Sequence, residues 1–432
     1  MTLNGKKILM ISESPYPEDT RIKNEATALT AAGYDISIIA LNFKGRPFFE
    51  TLDGVHVYRL PMITVFKKSH SRSSWFSLLL YRLRSAIGYI VEYVYFTSIS
   101  FLLSLYIAIR HGVDVVHLHN PPNTLVVTGA FFRFIGKLFV FDHHDLAPEL
   151  YLSKYNVGKD LLYRMLLFEE RLCLRLSHMV IATNESYKAI DADRGPIDSD
   201  KIIIVRNGPD PNQFKLTQPD PELKAMGRTI LAYVGIMGPQ DGVDYMLRAL
   251  HHLAYNLGRD DFYCVIIGPG DALDDLIGLS RELALEPYVR FTGFISKADL
   301  LMYLSSADIC LDPNPSSPLN DVSTWIKVME YMALGKPMVS FDLKETRHSA
   351  QAAAVYVPPN DVQAFAQAVA RLMDDPIKRE EMGRCGRKRI DDALAWKYSA
   401  EKLSRGYERL ISRLAQFEPA TVPPAESKLK GR

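Results

Sequence analysis

Cysteine is scarce. Only Cys173, Cys264, Cys310 and Cys385 occur in 432 residues, and no two of them form a C-x-x-C pair. That scarcity excludes a zinc ribbon and a disulfide framework and points to a reducing compartment. A surplus of either charge is also missing, since 51 Lys and Arg stand against 50 Asp and Glu. Without a basic excess there is no case for nucleic acid as a partner. The first residues, MTLNGKKILMIS, run straight into a strand pattern and lack a secretory h-region and cleavage site. The expectation is a cytoplasmic chain. What the sequence does have is size and apolar content: 47% of its residues are hydrophobic. Two domains of about 200 residues, each with its own core, fit that length.

Short apolar runs alternate with helical patterns. Runs at 8–11, 34–41, 55–60, 113–118, 138–141 and 179–182 read as strands. Asp19 or Thr20 caps a helix with Ile22, Ala26 and Leu29 at i, i+4 and i+7, and Gly33 stops it. The rhythm restarts with strands at 229–234, 264–267, 289–292, 309–311, 337–340 and 354–357, separated by helices at 243–257, 298–304, 324–334 and 361–373. Strand–helix–strand order predicts an α/β fold with two Rossmann-like parallel sheets. Residues 1–206 form the first domain and 223–395 the second. The aperiodic stretch 207–222, rich in Pro, Asn and Asp, reads as a hinge, and 416–432 as a disordered tail.

One segment breaks the rhythm. Residues 93–109 carry no charge over 17 positions, and Lys67, Lys68, Arg72, Trp75, Phe76, Arg82 and Arg84 precede them. Seventeen is the short limit for a spanning helix, and a strand must start at 113, so a span is disfavoured. A buried helix and a surface helix lying on anionic lipid both fit, and 66–110 is the candidate membrane-surface segment.

In open parallel sheets ligands bind outside the carboxyl ends of the strands, so turns after strands are the places to search. The phrase from Asp321 to Pro337 stands out. Ser323 or Thr324 can cap a helix there, and Val328 lies in its first turn. A helix start offers free N–H groups to a diphosphate. Lys327 and Glu330, at i and i+3, share one face: the Lys adds positive charge, and the Glu can accept two hydroxyl hydrogen bonds from a ribose. The plain alternative is an ion pair on an ordinary helix surface. His119 ends a strand two residues after His117, and Asp142-His143-His144-Asp145 ends another. Strand-end polar residues account for both without chemistry. Metal binding is not expected at the second cluster, and Asp191-Ala-Asp193 reads as solvated surface.

The phrase K-V-M-E-Y-M-A-L-G-K-P-M-V-S resembles the donor helix of glycosyltransferase family 4, retaining enzymes of the GT-B fold. Arg21 with Glu25, Asp114-Val-Val-His-Leu-His119, Val205-Arg-Asn207-Gly208-Pro-Asp210, Ile267-Gly268-Pro-Gly270 and Phe291-Thr-Gly293-Phe294 resemble further family segments in order. The resemblance covers roughly residues 6–412 and implies two facing Rossmann-like domains, with 396–415 crossing back to the first. It implies donor contacts from Gly235, Gly268, Gly293, Phe294, Asp321, Ser323, Thr324, Val328 and Glu330. His119 and Lys327 become the catalytic candidates, with Arg21, His144 and Asp145 on the acceptor or phosphate side. No cofactor and no metal are implied, because helix dipole and side-chain cations do that work in this fold.

The departures are specific. The family's acidic pair is E-x7-E, and Val322 stands where the first acid belongs, with Asp321 one residue out of register. Ile236 and Asp241 replace an Arg and a Lys in the family's G-R-x-x-x-E-K-G turn, so Lys327, Arg21 or Arg347 must supply the missing charge. A bacterial polysaccharide subgroup is similar in its K-x-x-E-Y-M. The implied reaction moves a sugar from a nucleotide sugar, UDP favoured over GDP, to a lipid-linked or oligosaccharide acceptor at the inner face of the membrane. A nucleotide-sugar epimerase of the same fold and a non-catalytic partner in polysaccharide synthesis remain as alternatives.

Overall fold

The computed structural model describes residues 5–43, 45–63, 75–155 and 157–415. Lys67, Lys68, Arg72 and the tail 416–432 lie outside the described residues, as do the side chains of Trp75, Phe76, Arg82 and Arg84. Two sheets organise the chain. The first contains β1 (Lys7–Pro15), β2 (Asp35–Asn42), β3 (Phe49–Leu52), β4 (Val55–Pro61), β5 (Val115–His119), β6 (Leu138–His143), β7 (Met179–Ala182) and β8 (Ile202–Ile204). Its order is β3-β4-β2-β1-β5-β6-β7-β8, parallel except for the β3–β4 pair. The second contains β9 (Thr229–Val234), β10 (Phe262–Ile267), β11 (Val289–Gly293), β12 (Ile309–Asp312), β13 (Met338–Phe341) and β14 (Ala354–Val357), ordered β11-β10-β9-β12-β13-β14.

The continuous apolar runs are explained by burial on both faces. Successive side chains of a strand point to opposite sides. Leu9 and Ile11 therefore join Phe96, Phe132 and Leu174 in one core, while Ile8 and Met10 join Ile22, Leu29 and Tyr407 in the other. Leu231 and Tyr233 part from Ile230 and Ala232 in the same way in the second sheet. Each sheet reverses its winding beside its first strand, at β1/β5 and at β9/β12, and each reversal opens a crevice at the strands' carboxyl ends.

Asp19 caps the first helix, its carboxylate accepting from the N–H groups of Arg21 and Ile22. Elsewhere the structure corrects the sequence reading. The short strands β3 and β8 were not expected. The 243–257 helix ends as α at His251 and continues as a π-helical turn to Asn256. The donor helix is Ile326–Ala333 and its cap residue is Trp325, which makes no side-chain cap bond, so neither Ser323 nor Thr324 caps it. The uncharged stretch 93–109 belongs to a 37-residue helix, Trp75–His111. It buries Thr97, Ser100 and Ser104 and exposes Val94, Leu102, Tyr106 and Ile109. It is therefore neither a fully buried helix nor an ordinary amphipathic one, because its outer stripe is apolar.

Two passes of chain link the halves, and they touch. The N–H of Trp396 donates to the Pro209 carbonyl at 3.0 Å. The last helix, Trp396–Ala415, then lays Leu403, Tyr407 and Leu410 into the first domain's core. At the crossing, a Cβ on Gly208 would fall 2.0 Å from the Leu394 carbonyl oxygen. Gly208→Ala is expected to cost about 1–3 kcal/mol through overpacking against rigid backbone. Gly278→Ala, mid-helix with nothing within 4 Å, is expected to gain about 0.5–1 kcal/mol. Urea unfolding of the two variants measures the contrast.

Candidate active site

The first wall of the cleft is built at the ends of β5 and β6. Arg21 is buried and grips Asp142 with two bonds, Nε to Oδ2 at 2.7 Å and Nη2 to Oδ1 at 2.6 Å. Its Nη1 donates to the Val205 carbonyl at 3.1 Å and to Asn207 Oδ1 at 2.6 Å, and Nη2 lies 3.2 Å from Glu25. Arg21 is therefore committed inside the wall and is not a spare cation for a phosphate, which corrects the sequence reading. Burial pushes the Asp142 carboxyl upward, but the Arg21 guanidinium, His144 and the hydrogen bonds from His119 and His144 together outweigh it and hold Asp142 well below the usual range. Glu25 has the opposite outcome: burial and the Asp142 charge keep its carboxyl well above the usual range.

His119 is fully buried, with Nδ1 2.9 Å from Asp142 and Nε2 4.0 Å from Glu25. Its ring stacks on His117 at 4.3 Å, and His117 Nδ1 meets the Tyr407 hydroxyl at 2.8 Å. Burial lowers the pKa of both imidazoles, so both are neutral near pH 7. Glu25, His117, His119 and Asp142 place ligand atoms within 4.8 Å of one another, a set that could hold a metal ion. Arg21 already supplies the positive charge such an ion would bring. His144 keeps 18% of its side chain exposed and lies 3.6 Å from Asp142. The Asn120 amide fixes this turn, accepting from the N–H groups of His144 and Asp145 and donating to the Asp145 carbonyl at 2.6 Å.

His143 points the other way, as strand alternation requires. Its Nδ1 lies 2.6 Å from Asp191 and its Nε2 3.3 Å from Glu170, and Arg194 bridges Glu170 to Glu149. Asp191 is thus buried, not solvated surface. Burial alone would lower the His143 pKa, but Asp191 and Glu170 override it and carry it up to about 10.

The second wall forms at the ends of β9 to β12. Gly235, Gly268 and Gly293 meet there. The N–H of Gly268 donates to the Gly293 carbonyl at 3.1 Å, and a Cβ on Gly268 would fall 2.0 Å from the Gly235 carbonyl oxygen. Phe294, 78% exposed, stands beside this turn. Gly242, at φ 69°, backs onto Pro313, where a Cβ would fall 2.1 Å from the carbonyl oxygen. Asp241, in place of the family's Lys, accepts from the N–H of Gly238, and Ile236 is exposed.

Glu330 is partly buried, and its carboxylate accepts no hydrogen bond from the described residues. Burial raises its pKa to about 7. Lys327 is buried between the Tyr233 and Trp325 rings, with Nζ 3.7 Å from Asp312. Burial raises the carboxyls of Asp312 and Asp241, and the Lys327 charge draws both back. Lys327 is thus balanced by acids rather than free, and the Val328 side chain is packed in the core. Arg347 is also committed, to Asp342 at 2.6 Å.

The loop between β12 and the donor helix does something the sequence reading missed. Leu319 and Val322 pack into the first domain's core beside Leu146, Leu150 and Tyr187. Asn184 donates to the Val322 carbonyl at 2.8 Å and to Thr324 Oγ1 at 2.9 Å, and Ser186 donates to Glu345 at 2.6 Å. Ser323 donates to the Leu319 carbonyl at 2.8 Å, and Asp321 accepts from Ser316. Asn184 caps the helix after β7. A polar cap directly after a strand was the available signal, but its distant partner was not legible.

Residues 19–213 match the model described as Glycosyltransferase Family 4, and residues 228–375 the one described as Glycosyl transferases group 1. An uncharacterised glycosyltransferase of Methanocaldococcus jannaschii is 24% identical over 400 residues, 89% of this chain and 92% of that protein. Sucrose-phosphate synthase of Thermosynechococcus elongatus superposes with a TM-score of 0.71 at 19% identity, covering 94% of this chain and 100% of that one. HepE of Anabaena, solved in complex with UDP-glucose, gives 0.66 at 14% identity, covering 93% and 99%. Two facing Rossmann-like sheets with a crossover helix are the GT-B architecture, and the molecule is a transferase of that class. It belongs to glycosyltransferase family 4.

Arg21→Gln leaves Asp142 and Glu25 buried without their cation, and a loss of about 3–5 kcal/mol of stability is expected in urea unfolding. The raised His143 pKa gives a second expectation. A histidine whose folded pKa exceeds its unfolded value of 6.5 contributes stability that is full below 6.5 and lost as pH rises through about 10. The urea midpoint should fall across that window, and His143→Gln should flatten the fall.

Proposed function

We propose that the protein transfers a sugar from a nucleoside diphosphate sugar, UDP in preference to GDP, to a lipid-linked or polysaccharide hydroxyl in surface-polysaccharide synthesis. Glu330 carries this reading. A partly buried carboxylate without a protein partner, its pKa raised by burial, is left able to accept from two ribose hydroxyls. Phe294 offers a face for the base, and the glycine turn lets a ligand approach backbone closely. The N–H groups of Ile326 and Lys327 at the uncapped start of the donor helix receive the diphosphate. HepE with UDP-glucose favours uridine as the base.

In the reaction the bond between the anomeric carbon and the phosphate oxygen breaks, and the diphosphate leaves with the electron pair. The acceptor oxygen bonds on the same face, giving retention, and its proton passes to the departing phosphate oxygen. Helix N–H groups stabilise the growing charge, with no divalent cation required. His144, the half-buried imidazole of the first wall, meets the transferred sugar in this reading. His119 acts behind it as a neutral, buried support. Water is excluded where the β12 loop seals the two halves.

A peripheral contact with the inner face of the membrane fits the long helix. Its segment Ile90–His111 has a mean hydropathy of 1.6 with 22% of it buried, and Arg110 sits at its end. An apolar stripe with a basic end suits the interface of an anionic bilayer.

In calorimetric titration UDP is expected to bind more tightly than GDP, and Glu330→Ala to weaken UDP about 10- to 100-fold, from about 1.5–3 kcal/mol for a hydrogen bond to a charged group. Equal binding by mutant and wild type would remove the central claim. Because only the ionised carboxylate accepts both hydroxyls, UDP affinity should drop as pH falls through about 7. In sedimentation with anionic liposomes, Leu102→Ser/Ile109→Ser should lower the bound fraction; an unchanged fraction would rule out the helix as the docking face.

A further inference from the structure

A second concave site lies at the opposite edge of the first sheet, where β6, β7 and β8 begin. The cavity holds about 310 Å³. Arg133, Arg175, His178, Lys201 and Arg409 ring it, and Asp200 is the one acid among the lining residues. These cations come from separate places. Arg133 and Arg175 sit at the carboxyl ends of the helices Val126–Phe134 and Leu161–Leu176. His178 and Lys201 stand just before β7 and β8, and Arg409 belongs to the last helix.

Its donors outnumber its acceptors. Arg133 spends one bond on the Leu176 carbonyl at 2.6 Å, and Lys201 pairs with Asp198 at 2.7 Å. Arg175 has no hydrogen bond or ion pair among the described residues, and Arg409 has only a 3.3 Å bond from Nε to the Arg405 carbonyl. His178 Nδ1 accepts from the Phe139 N–H at 3.0 Å, so its ring proton is on Nε2. Arg133 Nη1 lies 3.4 Å from that same Nε2, which sets two donors face to face with no acceptor between them. Burial, then the charges of Arg133 and Lys201, lower the His178 pKa to about 4, a mark of the positive potential there.

We propose that this cavity binds a phosphate group, offered by an anionic lipid headgroup or by a soluble phosphate ester. Forked guanidinium donors match phosphate oxygens, and the volume is at the small end for ligand sites. A headgroup fits it better than a nucleotide sugar. Because Arg409 rides on the last helix, the bound phosphate clamps that helix to the sheet, where Gly406 already sits so close that a Cβ would fall 2.6 Å from Ile203 Cδ1. The proposal is independent of the donor-site reading.

The test uses the full chain as wild type and as Arg175→Gln/Arg409→Gln. Glycerol 3-phosphate is titrated by calorimetry, and phosphatidylglycerol–phosphatidylcholine vesicles are compared with pure phosphatidylcholine by sedimentation. The urea-unfolding midpoint serves as the folding control. At least tenfold weaker binding by the double variant, with the midpoint unchanged, is the expected result. A loss by the variant on phosphatidylglycerol vesicles alone assigns the site to a lipid headgroup; a loss on glycerol 3-phosphate as well assigns it to phosphate esters generally. In NMR the His178 titration should move up from about 4 when phosphate is added. Equal binding by wild type and variant, or no binding of either probe by wild type, overturns the proposal.

Discussion

The fork of Arg21 on Asp142 ties together three stretches far apart in sequence: the helix after β1, the end of β6, and the chain leaving the first domain at Val205 and Asn207. Burying those charges costs several kcal/mol per ion, recovered only because every face of the guanidinium finds an acceptor. Much follows from that satisfaction. Asp142 stays ionised, Glu25 is driven toward its neutral form, and two stacked histidines stay uncharged beside them. The first wall is therefore stiff and close to neutral, and it presents His144 and the Asn120-fixed turn on a fixed base.

The second wall is organised by close approaches of backbone. Three glycines interlock at the ends of β9, β10 and β11, and Gly242 backs onto Pro313. Positive charge is rationed there: Lys327 is answered by Asp312 and Asp241, the latter standing where the family resemblance implies a lysine. The proposed mechanism therefore leans on backbone N–H groups where the resemblance would imply side-chain cations at Ile236 and Asp241.

The strands and the doubly wound order were legible because parallel strands buried on both faces print uninterrupted apolar runs. The short strands β3 and β8 were not, since three or four residues carry no period. The long helix misled for a physical reason: it is apolar on both faces, burying Phe96 and Ile107 beside three hydroxyls while exposing Val94, Leu102 and Ile109, so apolar content did not mark the core side. At the site, the placing of Lys327 and Glu330 on one helix could be read from local spacing, and the glycine turns at strand ends from the family resemblance. The commitments of Arg21 and Lys327 could not, because Asp142 and Asp312 reach them from elsewhere in the fold. Asn184, Ser186 and Glu345 were missed for the same reason, being local in sequence and remote in partnership.

Leu319 and Val322 give the donor loop a foothold in the other half of the molecule. The loop that the proposed function sets beside the donor is thereby also a loop by which the halves hold each other. Under that function, a donor that favours the docked arrangement of the loop is in turn held more tightly by it, because coupling between two sites is reciprocal.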